Sequence, residues 1–282
     1  MKKISVILLI MLLSVFVLGN IVEKRVDIDG GDYMIPGIFS MPENYDGNVP
    51  AVLMIHGFAS QKDEVGNMYK NLAAELAELG YASLRIDFPG AGDHQESFVK
   101  TSLTGQIEDS RVAYNWLLKQ PEVDTDRTGV VGFSFGGVVA SCLAGSEPNI
   151  NALALWSTPG DPSKSLLDIR DAEYPTAVEE GHVIVDLGWT KIDMSKEFFQ
   201  SQFVVFPMDS IRYYESPLLI IAGEVDDNMP ADAHKYAKNA ASMDITLRII
   251  PGADHIYHVL TEDQTDANFV IDLTAGWFAD KL

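Results

Sequence analysis

The sequence predicts an α/β fold: a mainly parallel sheet covered by helices on both faces. Three observations carry this. Short continuous apolar runs such as Ala51–Ile55 recur along the chain, as strands buried on both faces require. Between them lie segments whose apolar residues fall at helical spacing. Gly or Pro punctuates the ends of these segments. Strands that alternate with helices pair in parallel through crossovers, which places helices on both sides of the sheet.

Residues 1–19 stand apart from that pattern. Lys2 and Lys3 precede an uncharged, mostly apolar stretch from Ile4 to Leu18, shorter than the roughly 20 residues of a membrane span. With the small residues Val17 and Gly19, the segment reads as a secretory signal peptide cut after Gly19. An exported, secreted or periplasmic, protein is expected. An uncleaved membrane anchor is the alternative. No cysteine follows at the lipidation position.

The domain then runs over 20–282. "IVEKRVDI" and "YMIPGIFS" read as an antiparallel pair, and "AVLMIH" (51–56) as the first strand buried on both faces. Met68, Leu72, Leu76 and Leu79 mark a helix that Gly80 ends. "YASLRIDF" is the next strand. Leu103, Ile107, Ser110, Tyr114 and Leu117 line a second helix that stops before Pro121, and "TGVVGF" is a third buried strand. "ALALWS", "PLLIIAG" and "TLRIIPG" follow as strands, and "QTDANFVIDLTAGWFADKL" closes with a helix. The alternation breaks between about 160 and 215. That stretch holds Trp189, Phe198, Phe199, Phe203, Phe206, Tyr213 and Tyr214, too long and too apolar for a bare loop. It is expected to be an inserted lid, or else a peripheral subdomain that buries its own aromatics.

Of 282 residues, 47% are hydrophobic, enough for a sizeable core. A net charge of −21 excludes a nucleic-acid partner, which would need clustered Lys and Arg. Cys142 has no second cysteine to pair with and falls in an apolar helix pattern, where a buried, inert thiol is expected.

The chemistry concentrates at Gly132-Phe133-Ser134-Phe135-Gly136, between a strand and a helix. Such a turn strains the serine backbone and exposes its hydroxyl, and a Cβ two residues to either side would strike neighbouring backbone. Ser134 is therefore the candidate nucleophile; a helix N-cap is its ordinary alternative. A hydroxyl needs a neutral imidazole to take its proton, and nucleophile elbows keep the chain order Ser, acid, His. His255, in the loop after "TLRIIPG", is the candidate base, with His258 as the spare. Asp226 in "GEVDDNMP" is the candidate acid. Asp227 reads as a solvated or helix-start residue, and Asp254 as a loop-stabilising one. An acyl-transfer oxyanion needs two donors, assigned to the backbone N–H groups of Phe58 and Phe135. His56 is expected to fix the Phe58 loop by hydrogen bonding, and Asp87 to brace its neighbour.

These motifs, "HGFAS", "GFSFGG", "GEVDDNMP" and "GADH" in that order, resemble the α/β-hydrolase superfamily over essentially the whole domain. Within it, "HGFASQKDE", "LRIDFPGAGD", "GGVVASCLAG" and "GADH" look most like the cinnamoyl or feruloyl esterase-like group. The resemblance implies hydrolysis of carboxylic esters, with Ser134, Asp226 and His255 at the matching positions. That group usually flanks its serine with His and Gln, whereas here Phe133 and Phe135 make the neighbourhood more apolar. The expectation is a serine carboxylesterase for small to medium acyl or aryl esters, hydroxycinnamoyl esters among them. It works through an acyl-enzyme, with no metal or organic cofactor. The expected partner is a small-molecule ester, with membrane contact only if the N-terminal segment stays uncleaved. A short-peptide serine peptidase or an acyltransferase on the same fold is the alternative, and a non-catalytic binding protein the minor one. The sequence sets no oligomeric state.

Overall fold

In the computed structural model, residues 21–282 are described, so the signal-peptide reading of 1–19 lies outside them. Among the described residues no helix is long and apolar enough to cross a membrane. β1 (Ile21–Asp29) and β2 (Met34–Pro42) form the antiparallel hairpin. β3 (Val49–Ile55), β4 (Ala82–Ile86), β5 (Val123–Phe133), β6 (Ala152–Trp156), β9 (Leu218–Gly223) and β10 (Ile245–Ile250) pair in parallel. The sheet order is β1-β2-β4-β3-β5-β6-β9-β10, with β2 antiparallel to β4. This is the α/β-hydrolase fold.

Side chains alternate across the sheet and feed two cores. Leu53, Ile55 and Val130 face α2 (Leu103–Leu117), α3 (Phe135–Ala144) and α7 (Met229–Asn239). Val52, Met54 and Val131 face α1 (Met68–Glu78) and α8 (Thr265–Lys281). Every residue of β3 is buried because both of its faces are covered. Leu79, expected on the buried face of α1, is 48% exposed. It lies past the last turn, where Gly80 (φ 87°) redirects the chain. β5 begins five residues earlier than "TGVVGF" suggests. A register shift opposite Val49 and Ala51 lets the polar segment Asp124–Arg127, closed by its own 2.7 Å ion pair, continue the strand.

The 160–215 stretch folds into α4 (Leu167–Glu180), a hairpin of β7 (His182–Asp186) and β8 (Lys191–Ser195), α5 (Lys196–Ser201) and α6 (Pro207–Ser210). Ala177, Val185, Ile192, Met194, Phe198 and Phe199 form a small core of its own, joined by Phe98 from the main domain. Tyr214 is buried as well, whereas Trp189, Phe203, Phe206 and Tyr213 stay exposed. Cys142 is partly rather than fully buried, and its surroundings push the thiol up to about 11, well away from a reactive thiolate.

One buried acid makes stability depend on pH. Asp109 on α2 receives the Tyr33 hydroxyl on both oxygens at 3.0 Å, and burial lifts its carboxyl to about 6. Folding therefore favours the protonated acid. Below the unfolded value near ~4 the group costs nothing, and between ~4 and 6 stability falls as pH rises. Asp109→Asn keeps an acceptor for Tyr33 and removes the ionisation. It should gain on the order of 2 kcal/mol over wild type at about pH 8, with the gain vanishing near pH 4. Urea unfolding at the two pH values checks this; an equal difference at both would remove Asp109 as the cause.

Candidate active site

The parallel strands point their carboxyl ends toward one edge, where ligands gather in open α/β sheets. At the end of β5 the chain turns into α3 through Ser134, whose backbone sits at φ 53°, ψ −123°. That left-handed value is unusual for a residue with a Cβ. It persists because the surroundings leave no other path. The Ser134 N–H donates to the Trp156 carbonyl of β6 at 2.8 Å, and a Cβ on Gly132 would run into the Gly136 carbonyl. A Cβ on Gly136 would strike the Ile55 and His56 carbonyls, and one on Gly137 would strike the Thr158 side chain.

Two other loops meet this turn. Asp226 follows β9 and His255 follows β10. The loops are tied by the Val225 N–H donating to the Ala253 carbonyl at 3.0 Å. His255 Nδ1 lies 2.8 Å from Asp226 Oδ2, and His255 Nε2 lies 3.0 Å from Ser134 Oγ. An ionised carboxylate only accepts, so Nδ1 carries the imidazole proton and Nε2 is free to accept from the Ser134 hydroxyl. Asp226 is buried, while the His255 side chain is 40% exposed and therefore open to a reacting group. Tyr257 anchors the His255 loop. Its ring is fully buried, its hydroxyl donates to the Ile221 carbonyl at 3.2 Å, and Ser157 donates to it at 3.0 Å. Phe133 packs on the imidazole at 5.2 Å.

The remaining candidates sort themselves by geometry. His258 is turned away, bonded to Asp266 of α8 at 3.0 Å. Asp227 is exposed, and Asp254 accepts the Ile256 and His258 N–H groups within its own loop. Buried His56 donates from Nδ1 to the Gly57 carbonyl at 2.8 Å and accepts the Phe88 N–H on Nε2, and burial lowers its basicity. Asp87 accepts the Lys62 amide and ammonium and the Asp93 N–H. The Phe58 and Phe135 rings lie 5.7 Å apart, and both pack on Phe198 of α5. Sequence reasoning missed Glu64. Its buried carboxylate accepts the Gly57 N–H at 2.7 Å. The signal for it was its place at the end of "HGFASQKDE".

Ser134 and His255 open into a cavity of about 840 Å³, a size suited to small organic ligands. Phe135, Leu166, Val205, Phe206, Met208 and Met229 supply apolar walls. Two of its carboxylates are already engaged: Asp161 with Lys164 at 3.0 Å, and Asp232 with Lys235 at 2.7 Å and the Gly160 N–H. Among the described residues no group of three His, Cys, Asp or Glu side chains is arranged to hold a metal ion.

Comparison with known proteins agrees with this architecture. The family model for X-Pro dipeptidyl-peptidase (S15 family) matches residues 35–201, more than half of the chain. The Mycobacterium tuberculosis protein Rv2307c is 29% identical over 233 residues, 82% of this chain and 72% of its own. Dipeptidyl-peptidase 5 of Porphyromonas gingivalis is 27% identical over 238 residues, 81% of this chain but only 32% of its own. The structure of Est1E from Butyrivibrio proteoclasticus with ferulic acid bound superimposes with a TM-score of 0.72 at 21% identity. The match covers 91% of this chain and 98% of that one.

The glycine contacts predict opposite outcomes for one substitution. Gly136→Ala forces a methyl group into two backbone carbonyls and should cost about 3 kcal/mol or more, together with hydrolytic turnover. Gly276→Ala in α8 meets nothing within 4 Å and should stabilise by up to ~1 kcal/mol with turnover unchanged. Thermal unfolding of both variants checks the pair.

Proposed function

The chain belongs to the X-Pro dipeptidyl-peptidase (S15) family and is an α/β-hydrolase serine hydrolase, and we propose that the bond it cleaves is a carboxylic ester. The observation that carries the mechanism is the continuous hydrogen-bonded line from Asp226 through His255 to Ser134 at 2.8 and 3.0 Å. In this reading Ser134 Oγ attacks the ester carbonyl carbon while His255 Nε2 takes its proton. Asp226 holds the imidazole and stabilises its charged form. The Phe58 and Phe135 N–H groups receive the negative charge that gathers on the carbonyl oxygen. His255 then returns the proton to the departing alcohol, leaving the acyl group on Ser134. Water, deprotonated by His255, attacks that acyl group, and the acid leaves as Ser134 recovers its proton. The sum is ester plus water giving acid plus alcohol.

The apolar walls around Ser134 favour a small to medium acyl or aryl group, with the 160–215 segment acting as the lid that supplies Leu166, Val205, Phe206 and Met208. Est1E holds ferulic acid, which makes a hydroxycinnamoyl ester a natural member of the test set. Cleavage of short peptides is the second reading, favoured by the family match and by the likeness to dipeptidyl-peptidase 5. A dipeptidyl substrate needs an anion for its terminal ammonium. Asp161 and Asp232 are paired with lysines, so in the peptidase reading Asp227 at the cavity wall would have to serve, and it is the apolar walls that favour the ester.

Purified protein and Ser134→Ala should be compared on p-nitrophenyl butyrate, methyl ferulate and a dipeptidyl-proline anilide. The esters should turn over, and the variant should lose about a thousandfold or more in kcat. Serine-dependent turnover of the anilide without the esters would replace the ester reading with the peptidase one. Ester turnover that survives in Ser134→Ala would overturn the mechanism.

A further inference from the structure

We propose that Glu64 is a positioning residue for the oxyanion hole: its carboxylate clamps the Gly57 amide and so aims the Phe58 N–H at the carbonyl that Ser134 attacks. The inference rests on the serine-hydrolase mechanism above and adds to it a residue outside the line of Asp226, His255 and Ser134.

The geometry starts from the peptide plane. In a trans peptide the C=O and N–H point to opposite sides. The Gly57 carbonyl accepts from His56 Nδ1 at 2.8 Å, so the Phe58 N–H of the same unit points away from the imidazole. The Phe88 N–H occupies His56 Nε2 at 3.2 Å, and burial keeps the ring neutral, which leaves Nδ1 as the donor. One plane earlier, the Gly57 N–H donates to Glu64 Oε2 at 2.7 Å. Two consecutive peptide units are therefore held, one by each side chain. They lie against the nucleophile, since a Cβ on Gly57 would stand 3.3 Å from the Ser134 Cβ.

Glu64 is built for this task at a conformational cost. Only 4% of the residue is exposed. Its second oxygen accepts the Ser60 hydroxyl and the Val65 N–H, so both carboxylate oxygens are used. Its backbone sits at φ 61°, ψ 171°, a region otherwise left to glycine, and Gly66 and Asn67 follow at φ 58° and 61°. The two residues before it are pinned as well: Lys62 to Asp87 at 2.8 Å and Asp63 to Arg85 at 3.1 Å. The run Lys62–Asp63–Glu64 is thus three inward anchors. A strained residue held by donors converging from both sides of the loop is the arrangement that preorganises a catalytic dipole.

The test compares wild type, Ser134→Ala and Glu64→Gln on p-nitrophenyl butyrate. It also uses an alkyl trifluoromethyl ketone, to which Ser134 adds to form a tetrahedral oxyanion. The glutamine NH₂ cannot accept, so one donor group loses its partner. Glu64→Gln should lower kcat by roughly 10- to 100-fold, leave KM within about twofold, and weaken the ketone by the same factor as kcat. Ser60→Ala, which removes one holder of the carboxylate, should lower kcat and ketone affinity by roughly 3- to 10-fold. A role confined to folding would shift Tm while leaving kcat and ketone affinity per folded molecule unchanged, and that result overturns the proposal. If Glu64→Gln does not fold, Ser60→Ala decides on the same criterion. Undiminished turnover by Ser134→Ala would bring down the mechanism, and this inference with it, a failure distinguishable from inert Glu64 and Ser60 variants beside a dead Ser134→Ala.

Discussion

The rest of the site depends on one backbone constraint, the left-handed turn at Ser134 between β5 and α3. It costs on the order of 1–3 kcal/mol for a residue with a side chain. It survives because Gly132, Gly136 and Gly137 admit carbonyls and the Thr158 side chain where a Cβ would otherwise stand. The same vacancy lets the end of β3 come up beside the turn. The Ile55 and His56 carbonyls rest against Gly136, and this brings Gly57 next to the serine. Exposing one hydroxyl and bringing in the loop that carries Phe58 are thus a single packing event.

Loops from β3, β5, β9 and β10 converge on that point and are tied together by hydrogen bonds. Tyr257 reaches the ends of β6 and β9 through Ser157 and the Ile221 carbonyl. Val225 bonds Ala253, and Glu64 bonds Gly57. The two phenylalanines beside the serine divide the apolar support. Phe133 backs the imidazole, and Phe135 meets Phe58. Phe198 of the inserted segment touches both Phe58 and Phe135, so the small core of the insertion continues into the neighbourhood of Ser134. That contact explains why Phe198 is buried while Trp189 and Tyr213, on the same insertion, remain in solvent.

Charge is distributed on two scales. The net charge of −21 makes the chain strongly acidic as a whole. Beneath the surface, Arg85 is 1% exposed and is balanced by Glu23 and Asp63, and Lys62 by Asp87 and Asp93. Buried pairs of this kind add little net stability, because desolvation offsets the attraction. Here they fix the position of the loop between β3 and α1, from which Glu64 reaches back to Gly57.

Outside the 160–215 insertion, the sequence by itself determined the order of strands and helices and the parallel sheet. Those features are written in apolar period and Gly/Pro punctuation over a few residues at a time. It also nominated Ser134, Asp226 and His255 as chemistry-bearing groups at strand ends, and the structure brings their side chains within hydrogen-bonding distance. Local signals did not reveal that β5 starts at Val123 across an irregular register, nor which aromatics of the insertion face inward. Only the tertiary structure decided that Lys62 and Glu64 of "QKDE" point into the protein, that His56 holds its proton on Nδ1, and that five separate stretches of the chain line the cavity at Ser134. The physical reason is that a hydrogen-bond partner or a packing contact between loops far apart in sequence is chosen by where the sheet delivers their ends. No short stretch of residues carries that information.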